Sequence, residues 1–327
     1  MKAVTLGDAG INISEIDQPS PQPNQILVKV HACGLNRSDL LTTQGQNYGH
    51  VGGEAKVMGA EFTGEVVELG SDAEGLNIGD RVMCLGAAGW AEYALASWRR
   101  TLPIPSDDVS YEQAATLGGA IQTMHDAIVT NGCFAAGQTI LIQGASSGQG
   151  LMGMQVAKAK GAKLVIGTST NSDRRAQLAE FGADMVLDSR DESWVEQVLE
   201  ATDGNGVDVT IDMLSGYTAN QNMAATKVNG YIVNIGRLGG DTGEFDFNLH
   251  ALRRIHYIGV TGRTRTPAEA GEVTRRTRAD GDLWDAVAAG KCAMPIDKVF
   301  ALKDARAALD RMAANEHFGK IVLSLDA

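Results

Sequence analysis

A glycine-rich turn in the middle of the chain limits the possible folds more than any other segment. The sequence GASSGQG occupies residues 144–150. It follows a short apolar run, Thr139 to Gln143, and precedes a stretch with helical periodicity, LMGMQVAKAKGA. A strand, a tight glycine turn and a helix together begin a βαβ unit, whose strands are parallel. We therefore expect a parallel β-sheet with helices packed against it.

The same pattern continues beyond the turn, because apolar runs alternate with helical ones as far as residue 260. The expected strands are Lys163 to Gly167, Asp184 to Leu187, Val207 to Ile211, Tyr231 to Ile235 and His256 to Val260. Strands that alternate with helices predict consecutive βαβ crossovers within one sheet. This part of the chain is thus expected to form an α/β domain.

The residues before 118 have a different pattern, in which short β-type runs are separated by turns. These runs are Gln25 to His31, Phe62 to Leu69, Asp80 to Leu85 and Ala91 to Ala94. They predict an antiparallel, β-rich unit. Near the other end, two helical stretches, Pro267 to Asp280 and Asp304 to Glu316, precede an apolar strand, Lys320 to Leu325. Since no βαβ partner follows that strand, we expect it to return to the N-terminal unit.

The amino-acid composition and the net charge limit the kinds of molecule that the chain is expected to bind. The chain has 327 residues, is 44% hydrophobic, contains 39 glycines and carries a formal net charge of −12. The apolar content excludes a disordered chain, and the length suggests two domains of about 150 residues. The negative charge argues against a general affinity for nucleic acid or for anionic membranes. We therefore expect a small-molecule partner.

The cysteines bear on the cellular compartment. They lie far apart, at positions 33, 84, 133 and 292. This spacing fits neither a zinc knuckle nor a small disulfide framework, which favours a reducing compartment. The sequence also has no signal-peptide h-region and no apolar stretch of about 18 residues. A cytoplasmic protein without membrane spans is expected.

Three glycines, Gly148, Gly150 and Gly153, satisfy the pattern G-x-G-x-x-G. Glycine at these places lets the backbone turn sharply and lets a pyrophosphate approach the amides at a helix N-terminus. The pattern alone is a weak signal, and a glycine turn that binds nothing is the alternative. Its position between a strand and a helix indicates a dinucleotide site.

The loop after the second strand of this unit bears on which dinucleotide is bound. NAD sites carry an Asp or Glu about 20 residues past the fingerprint, but Gly167 and Thr168 stand there. The segment continues as STNSDRR and offers hydroxyl, amide and guanidinium groups. Such groups suit a 2′-phosphate, so NADPH is favoured over NADH. Against this, Asp173 adjoins the arginines, and Arg174 and Arg175 can also be a solvated helical turn.

Segments spread over nearly the whole chain carry a family resemblance. They include VKVHACGLNRSDL at 28–40, GAEFTGEVVELG at 59–70, AATLGGAIQTMHDAI at 114–128, GYIVNIGRLGG at 230–240 and HFGKIVL at 317–323. In their order and spacing they resemble the medium-chain dehydrogenase/reductase superfamily, and within it the zinc-independent, zeta-crystallin-like NADPH:quinone oxidoreductase branch.

The resemblance implies a fold. It implies an α/β protein with a GroES-like, β-rich catalytic domain from residues 1–118 and 257–327. Residues 119–256 would form a Rossmann NADP-binding domain with a doubly wound parallel sheet. Members of this family are usually homodimers joined through the last Rossmann strands, so a homodimer is expected here.

The resemblance also implies roles for individual residues. It puts Asn36 and Tyr48 beside the nicotinamide as the catalytic residues, although the QGQNY segment is one residue longer than the family's usual R-x-G-x-Y. The expected cofactor contacts besides these two are Thr123, Gly144, Ser147, Gly148, Gln149, Gly150, Leu151, Thr168, Arg174, Ser189, Gly236, Leu238, Arg263 and His317. Tyr48 can instead be an exposed loop aromatic, and His317 a surface histidine. Asp39 and Glu61 are expected to make structural hydrogen bonds.

The same comparison argues against a metal. Zinc-dependent relatives have a ligand cysteine where this chain has Asn36, and a histidine where it has Ala60. Catalytic zinc normally needs three protein ligands, so no metal site is expected. Cys33 is more easily explained as a buried apolar residue.

The expected activity follows from these points. Without a metal, hydride from NADPH would go to an acceptor that is already electrophilic, such as a quinone or related conjugated carbonyl compound. One alternative is an enal, enone or enoyl-thioester C=C reductase on the same scaffold. An alternative of another class is an NADPH-binding structural or regulatory protein without significant turnover, in the manner of a crystallin.

Overall fold

The chain divides into two compact units in the computed structural model, which describes residues 1–8, 10–45 and 56–326, Lys56 by its backbone alone. The first unit comprises Met1–Gly119, Arg263–Ala279 and Ala293–Ala327, and the second comprises Ala120–Gly262 and Asp280–Cys292.

The secondary structure alternates β-rich and mixed stretches. The strands are β1 (Lys2–Gly7), β2 (Gly10–Glu15), β3 (Gln25–Gly34), β4 (Lys56–Val57), β5 (Glu61–Leu69), β6 (Arg81–Leu85), β7 (Tyr93–Ser97), β8 (Thr101–Pro103), β9 (Thr139–Gln143), β10 (Leu164–Thr168), β11 (Met185–Leu187), β12 (Val207–Asp212), β13 (Thr226–Asn234), β14 (His256–Gly259), β15 (Ile296–Ala301) and β16 (Lys320–Ser324). The helices are α1 (Arg37–Thr43), α2 (Tyr111–Ala114), α3 (Gly118–His125), α4 (Gly148–Ala159), α5 (Ser172–Arg175), α6 (Trp194–Ala201), α7 (Ala219–Ala225), α8 (Phe247–Arg253), α9 (Pro267–Ala279), α10 (Gly281–Ala288) and α11 (Ala305–Ala313).

The second unit is built on a six-stranded parallel sheet in the order β11-β10-β9-β12-β13-β14. The side chains of Ile140, Leu141 and Ile142 in β9 are fully buried. Such an uninterrupted apolar run is typical of a parallel strand covered on both faces. The strand order reverses between β9 and β12, which creates a crevice at their carboxyl ends. The predicted Rossmann sheet is confirmed.

The first unit contains two mostly antiparallel sheets. One has the order β2-β1-β4, and the other runs β15-β16-β3-β5-β6-β8, with β7 also paired to β3. The C-terminal strand β16 pairs antiparallel with β3, so Leu323 lies opposite Cys33. The prediction that the last strand returns to the N-terminal unit is confirmed. Phe62, Val82 and Trp90 are among the side chains buried in its main core.

The predicted domain boundaries need correction at two places. The second unit continues to Gly262 because β14 pairs with β13 and thus belongs to the parallel sheet. It also includes Asp280–Cys292, since α10 packs against α4. The family resemblance assigns both stretches to the β-rich domain, whereas the alternation of apolar and helical runs places His256 to Val260 in the α/β domain, as the structure does. The edge strands β2 and β15 are absent from the predicted strands, and every residue of both is half-buried or exposed.

One further expectation concerns membranes. Within the described ranges, every helix is too short or too polar to cross a bilayer.

Candidate functional site

The turn after β9 is fastened to the end of β10. Gly144 has a φ of +72°, in the left-handed region that favours glycine. Its N–H donates to Thr168 Oγ1 at 3.1 Å, and the Thr168 hydroxyl donates to Gln143 Oε1 at 2.7 Å. The Thr168 side chain is fully buried. The prediction that this hydroxyl meets a 2′-phosphate is therefore wrong, because its single O–H is already donated to Gln143 within the sheet and the side chain is buried.

The N-terminus of α4 presents polar groups at the carboxyl edge of the sheet. Ser147 is the N-cap, and its Oγ accepts from the Gly150 N–H at 3.1 Å. The Leu151 N–H donates to the Ser147 carbonyl at 2.9 Å, and the Leu151 side chain is fully buried. The amides of Gly148 and Gln149 occupy the first two helical positions, which have no intrahelical acceptor. These two amides and Ser147 can bind an anion, whereas the Leu151 N–H is used within the helix, and the predicted pyrophosphate contact of Leu151 stays a prediction.

Two glycines of the fingerprint lie in close packing, and at Gly150 the neighbour is backbone. A Cβ on Gly150 would lie 2.5–2.6 Å from the Cα, C and O atoms of Ala145, which are all backbone. A Cβ on Gly153 would lie 2.9 Å from Met124 Sδ in α3. Glycine therefore lets the turn lie directly on the first turn of α4.

The loop after β10 holds the groups that the sequence associates with a 2′-phosphate. Ser169 is buried, and its hydroxyl is 2.8 Å from that of Ser146. Arg175 pairs with Asp188 at 3.0 Å and donates to the Ser169 carbonyl at 2.5 Å. Arg174 is half-buried in α5, where its N–H donates to the N-cap Asn171 at 2.9 Å. The side chain of Arg175 is thus tied to this loop.

The carboxyl ends of β12 and β13 form the other side of the crevice. Asp212 is fully buried, and its Oδ1 accepts from the N–H groups of Leu214 and Ser215, both at 2.9 Å. Leu238 donates its N–H to the Met213 carbonyl at 3.0 Å and exposes 60% of its surface. A Cβ on Gly236 would lie 2.8 Å from the same carbonyl oxygen. Close packing of the two loops thus requires glycine and leaves Leu238 available to a ligand.

The first unit contains a buried polar cluster, made of Asn36, Glu61 and Lys320. Lys320 Nζ lies 3.0 Å from Glu61 Oε2 and 2.9 Å from Asn36 Oδ1. Asn36 Nδ2 donates to Glu61 Oε2 at 2.9 Å, and the Gly119 N–H donates to Glu61 Oε1 at 2.6 Å. Glu61 is 2% exposed and Lys320 is 8% exposed. This cluster joins the beginnings of α1, β5 and β16.

Asp39 adjoins the cluster from α1. Its carboxylate accepts from the Asn36 N–H at 2.8 Å. Burial raises the pKa of Asp39 to about 7, and Glu61 adds to the rise while the backbone N–H groups and Lys320 oppose it. The structural hydrogen bonds expected of Asp39 and Glu61 are thus present, and Cys33 is buried as expected.

The other predicted residues divide between the units. In the second unit, Thr123 is half-buried in α3, and Ser189 is buried beyond β11. In the first, Arg263 is exposed and His317 is half-buried ahead of β16. Tyr48 lies outside the described residues.

The structure thus gathers in the second unit the predicted residues Thr123, Gly144, Ser147, Gly148, Gln149, Gly150, Leu151, Thr168, Arg174, Ser189, Gly236 and Leu238, and places Asn36, Arg263 and His317 in the first.

Sequence reasoning missed Lys320. The available signal was a lysine at the beginning of a strand whose residues are all buried. A buried ammonium needs a paired carboxylate, so such a lysine indicates an acidic partner elsewhere in the core.

Family models match both parts of the chain. A model described as "Alcohol dehydrogenase GroES-like domain" matches residues 22–106, and one described as "Zinc-binding dehydrogenase" matches residues 148–276. Within the described ranges, no three His, Cys, Asp or Glu side chains are grouped so that they could hold a metal ion.

Known proteins align along most of the chain. A phenolphthiocerol/phthiocerol polyketide synthase protein of Mycobacterium tuberculosis is 30% identical over 321 residues, which are 96% of this chain and 14% of that protein. The quinone oxidoreductase of Rattus norvegicus is 32% identical over 213 residues, 64% of this chain and 63% of that protein. The chain thus spans less than two thirds of either relative.

A solved structure has the same fold throughout. A mycobacterial quinone oxidoreductase superimposes with a TM-score of 0.87 at 26% identity, covering 99% of each chain.

Proposed function

We propose that this chain, which belongs to the medium-chain dehydrogenase/reductase superfamily and to its quinone oxidoreductase branch, reduces quinones or related conjugated carbonyl compounds with NADPH. The observation that carries the proposal is the glycine turn at the crevice between β9 and β12, in a chain similar to quinone oxidoreductases. When bound, NADPH supplies a hydride to the acceptor.

The residues of the second unit fit this cofactor. The amides of Gly148 and Gln149 and the Ser147 N-cap suit the pyrophosphate, because they lie at a helix N-terminus that favours anions. A Cβ at Gly150 would push against the turn that places them. Gly236 and Leu238 are proposed beside the nicotinamide half, on the opposite side of the crevice from the turn.

NADPH rather than NADH is proposed from the loop after β10. No carboxylate ends β10, and Arg174 lies in the short helix that follows. A guanidinium binds a 2′-phosphate through charge-assisted hydrogen bonds. Ser189 remains a proposed neighbour of this phosphate, and Thr168 supports the loop from inside.

Replacing Arg174 by alanine should raise the Kd for NADPH by about 10–100-fold, since hydrogen bonds to charged groups contribute about 1.5–3 kcal/mol. The Kd for NADH should change less than about twofold. Fluorescence titration of both cofactors measures this. Lys163→Ala, which removes an exposed positive charge at the opposite end of β10, is the matched control. An unchanged NADPH/NADH preference in Arg174→Ala would refute the assignment.

Zinc independence is proposed from the chemistry of the polar cluster. Zinc prefers thiolate, imidazole and carboxylate ligands. Asn36 offers an amide, and the carboxylate of Glu61 is paired with the Lys320 ammonium at 3.0 Å. The donor set does not fit a catalytic zinc, although the family model that matches residues 148–276 is described as zinc-binding.

Without a metal, the protein's contribution is to hold the cofactor and acceptor together and to exclude water. Asn36 and Tyr48 are the proposed catalytic residues. Tyr48 would donate a proton to the reduced acceptor through its phenol. Thr123, Arg263 and His317 remain proposed cofactor contacts.

Stopped-flow mixing of the protein and NADPH with 9,10-phenanthrenequinone or 1,4-benzoquinone tests the activity. We expect the rate of NADPH oxidation, followed by absorbance, to rise with the quinone concentration, with turnover unaffected by a metal chelator. NADPH that binds but is not oxidised by any conjugated acceptor would exclude the reductase and favour the crystallin-like alternative.

A second candidate is reduction of a C=C bond in an enal, enone or enoyl thioester. The alignment with a polyketide synthase over 96% of this chain favours it. A trans-2-enoyl thioester in the same assay distinguishes the two, because saturation of the double bond is seen by mass spectrometry.

A homodimer is proposed to form through β14. This strand is at the edge of its sheet, where unpaired backbone groups can pair with a second copy. Phe247 and Leu252 in the preceding helix α8 are 77% and 70% exposed. Sedimentation equilibrium should give twice the chain mass of 34.5 kDa.

A cytoplasmic setting is also proposed, and it is supported by four free thiols.

A further inference from the structure

The hydrogen bonds of the polar cluster determine the orientation of the Asn36 amide. A lysine ammonium can only donate, and an ionised carboxylate can only accept. Lys320 Nζ, 2.9 Å away, therefore requires the oxygen of Asn36 on its side, and Glu61 Oε2, also 2.9 Å away, requires the nitrogen. Exchanging the two atoms would place a donor against the ammonium and an acceptor against the carboxylate.

The carboxylate and the ammonium are themselves fixed. Glu61 Oε1 is held by the Gly119 N–H at 2.6 Å, and a Cβ on Gly119 would lie 2.9 Å from that oxygen. Lys320 follows Gly319, whose φ is +86°. The N–H of Lys320 donates to the Pro295 carbonyl at 2.9 Å. The cluster thus has one arrangement, imposed by backbone from two other segments.

The remaining hydrogen-bonding capacity of Asn36 follows from this arrangement. Its Nδ2 donates to Glu61 and also lies 3.4 Å from the Gly34 carbonyl, so both N–H groups face the protein. Its Oδ1 accepts a hydrogen bond from Lys320 Nζ at 2.9 Å, and an amide oxygen has the capacity to accept a second one. Asn36 is half-buried and therefore still has surface for a ligand.

We propose that Lys320, through its pair with Glu61, is a positioning residue that makes Asn36 a hydrogen-bond acceptor toward the bound cofactor or substrate. Asn36 then recognises a hydroxyl or N–H group, such as the cofactor's ribose hydroxyls or carboxamide offer. It does not donate to the carbonyl oxygen of a quinone or enone. This inference rests on the proposed function only for what Asn36 contacts, because the amide orientation is a property of the protein alone.

The first test reads the amide directly. In protein labelled with ¹⁵N-asparagine, the Asn36 side-chain signals are identified by their loss in Asn36→Ala. We expect Lys320→Met to speed hydrogen exchange of this amide at least tenfold, because the partner that fixes its oxygen is removed. Lys298→Met, a change at an exposed lysine in β15, should leave the exchange unchanged. If the Asn36 amide of Lys320→Met exchanges at the wild-type rate, the proposal is overturned.

The second test asks whether Lys320 acts through Asn36. Lys320→Met and Asn36→Ala should each weaken NADPH binding or lower kcat about tenfold, the effect of one hydrogen bond. The double variant should be no worse than Asn36→Ala within about twofold, because the two residues form one unit. If the fold-change of the double variant equals the product of the two single fold-changes, Lys320 acts independently of Asn36 and the proposal is overturned. Wild-type protein that oxidises no NADPH refutes the proposed function instead, and the exchange experiment still decides the inference.

Lys320→Met leaves a buried carboxylate without its partner and can prevent folding. The double variant Lys320→Met/Glu61→Gln removes both charges, and circular dichroism checks that it is folded. The oxygen of the glutamine introduced by Glu61→Gln keeps the Gly119 hydrogen bond, so its amide nitrogen faces Asn36 and forces the Asn36 amide to turn over. We expect the Asn36 side-chain amide of this variant to exchange faster than in the wild type. We also expect its affinity for NADPH to be about tenfold lower. If both the exchange rate of the Asn36 amide and the NADPH affinity equal those of the wild type, the proposal is overturned.

Discussion

Replacing Gly150 by alanine should weaken NADPH binding at least 100-fold. The added Cβ would lie 2.5–2.6 Å from three backbone atoms of Ala145, and backbone cannot move away as the end of a flexible side chain can. The turn after β9 must therefore shift away from the N-terminus of α4. That shift moves Ser147 and the amides of Gly148 and Gln149, which are the proposed pyrophosphate ligands.

The same substitution should lower the free energy of unfolding by about 1–3 kcal/mol, the usual cost of overpacking. Isothermal titration with NADPH and urea unfolding measure the two effects. Gly281→Ala is the matched control in the same unit, since nothing lies within 4 Å of its added Cβ. If Gly150→Ala binds NADPH as the wild type does, the pyrophosphate is not held by this turn.

Replacing Asp39 by asparagine should remove a large pH dependence of stability. The pKa of Asp39 is raised to about 7 from 3.8 by burial. Between these values the folded protein holds a proton that the unfolded chain has released, so stability falls as pH rises. The full effect is about 4 kcal/mol at about 1.4 kcal/mol per unit of pKa. Asparagine imitates the protonated carboxyl and does not titrate.

Unfolding by urea at several pH values tests this. As the pH rises from about 5.5 to about 7.5, the free energy of unfolding of Asp39→Asn should increase by about 2 kcal/mol relative to that of the wild type. Most of this relative increase should occur below about pH 7. Asp108→Asn, a change at an exposed carboxyl of the same unit, should give a curve parallel to the wild type. A parallel curve for Asp39→Asn as well would mean that Asp39 is ionised throughout this range in the folded protein.

Both predictions depend on contacts that the sequence does not contain. The sequence places Gly150 in a fingerprint, but only the structure identifies the Ala145 backbone as the group that a side chain there would meet. It offers Asp39 as one of many carboxyls, and only the packing around α1 removes that side chain from water. Burial is a property of the assembled core, so it cannot be read from a position in the chain.

The correction at Thr168 and the buried side chain of Leu151 have the same explanation. Thr168 and Leu151 match the family's motif, and a motif records spacing along the chain. Whether a side chain at that spacing points toward a ligand or into the sheet depends on its rotamer and neighbours. In this protein the Thr168 hydroxyl is consumed by Gln143 and Gly144, and Leu151 fills the core.

The two kinds of domain, the succession of parallel strands along the chain, the glycine turn and the return of the last strand could all be predicted from the amino-acid sequence. These features follow from hydrophobic periodicity and from glycine's backbone freedom, which are local properties. The inclusion of Asp280–Cys292 in the second unit, and the joining of Asn36, Glu61 and Lys320, emerge only in the folded protein. Glu61 and Lys320 are 259 residues apart, and only the pairing of β16 with β3 and of β3 with β5 brings them within 3.0 Å.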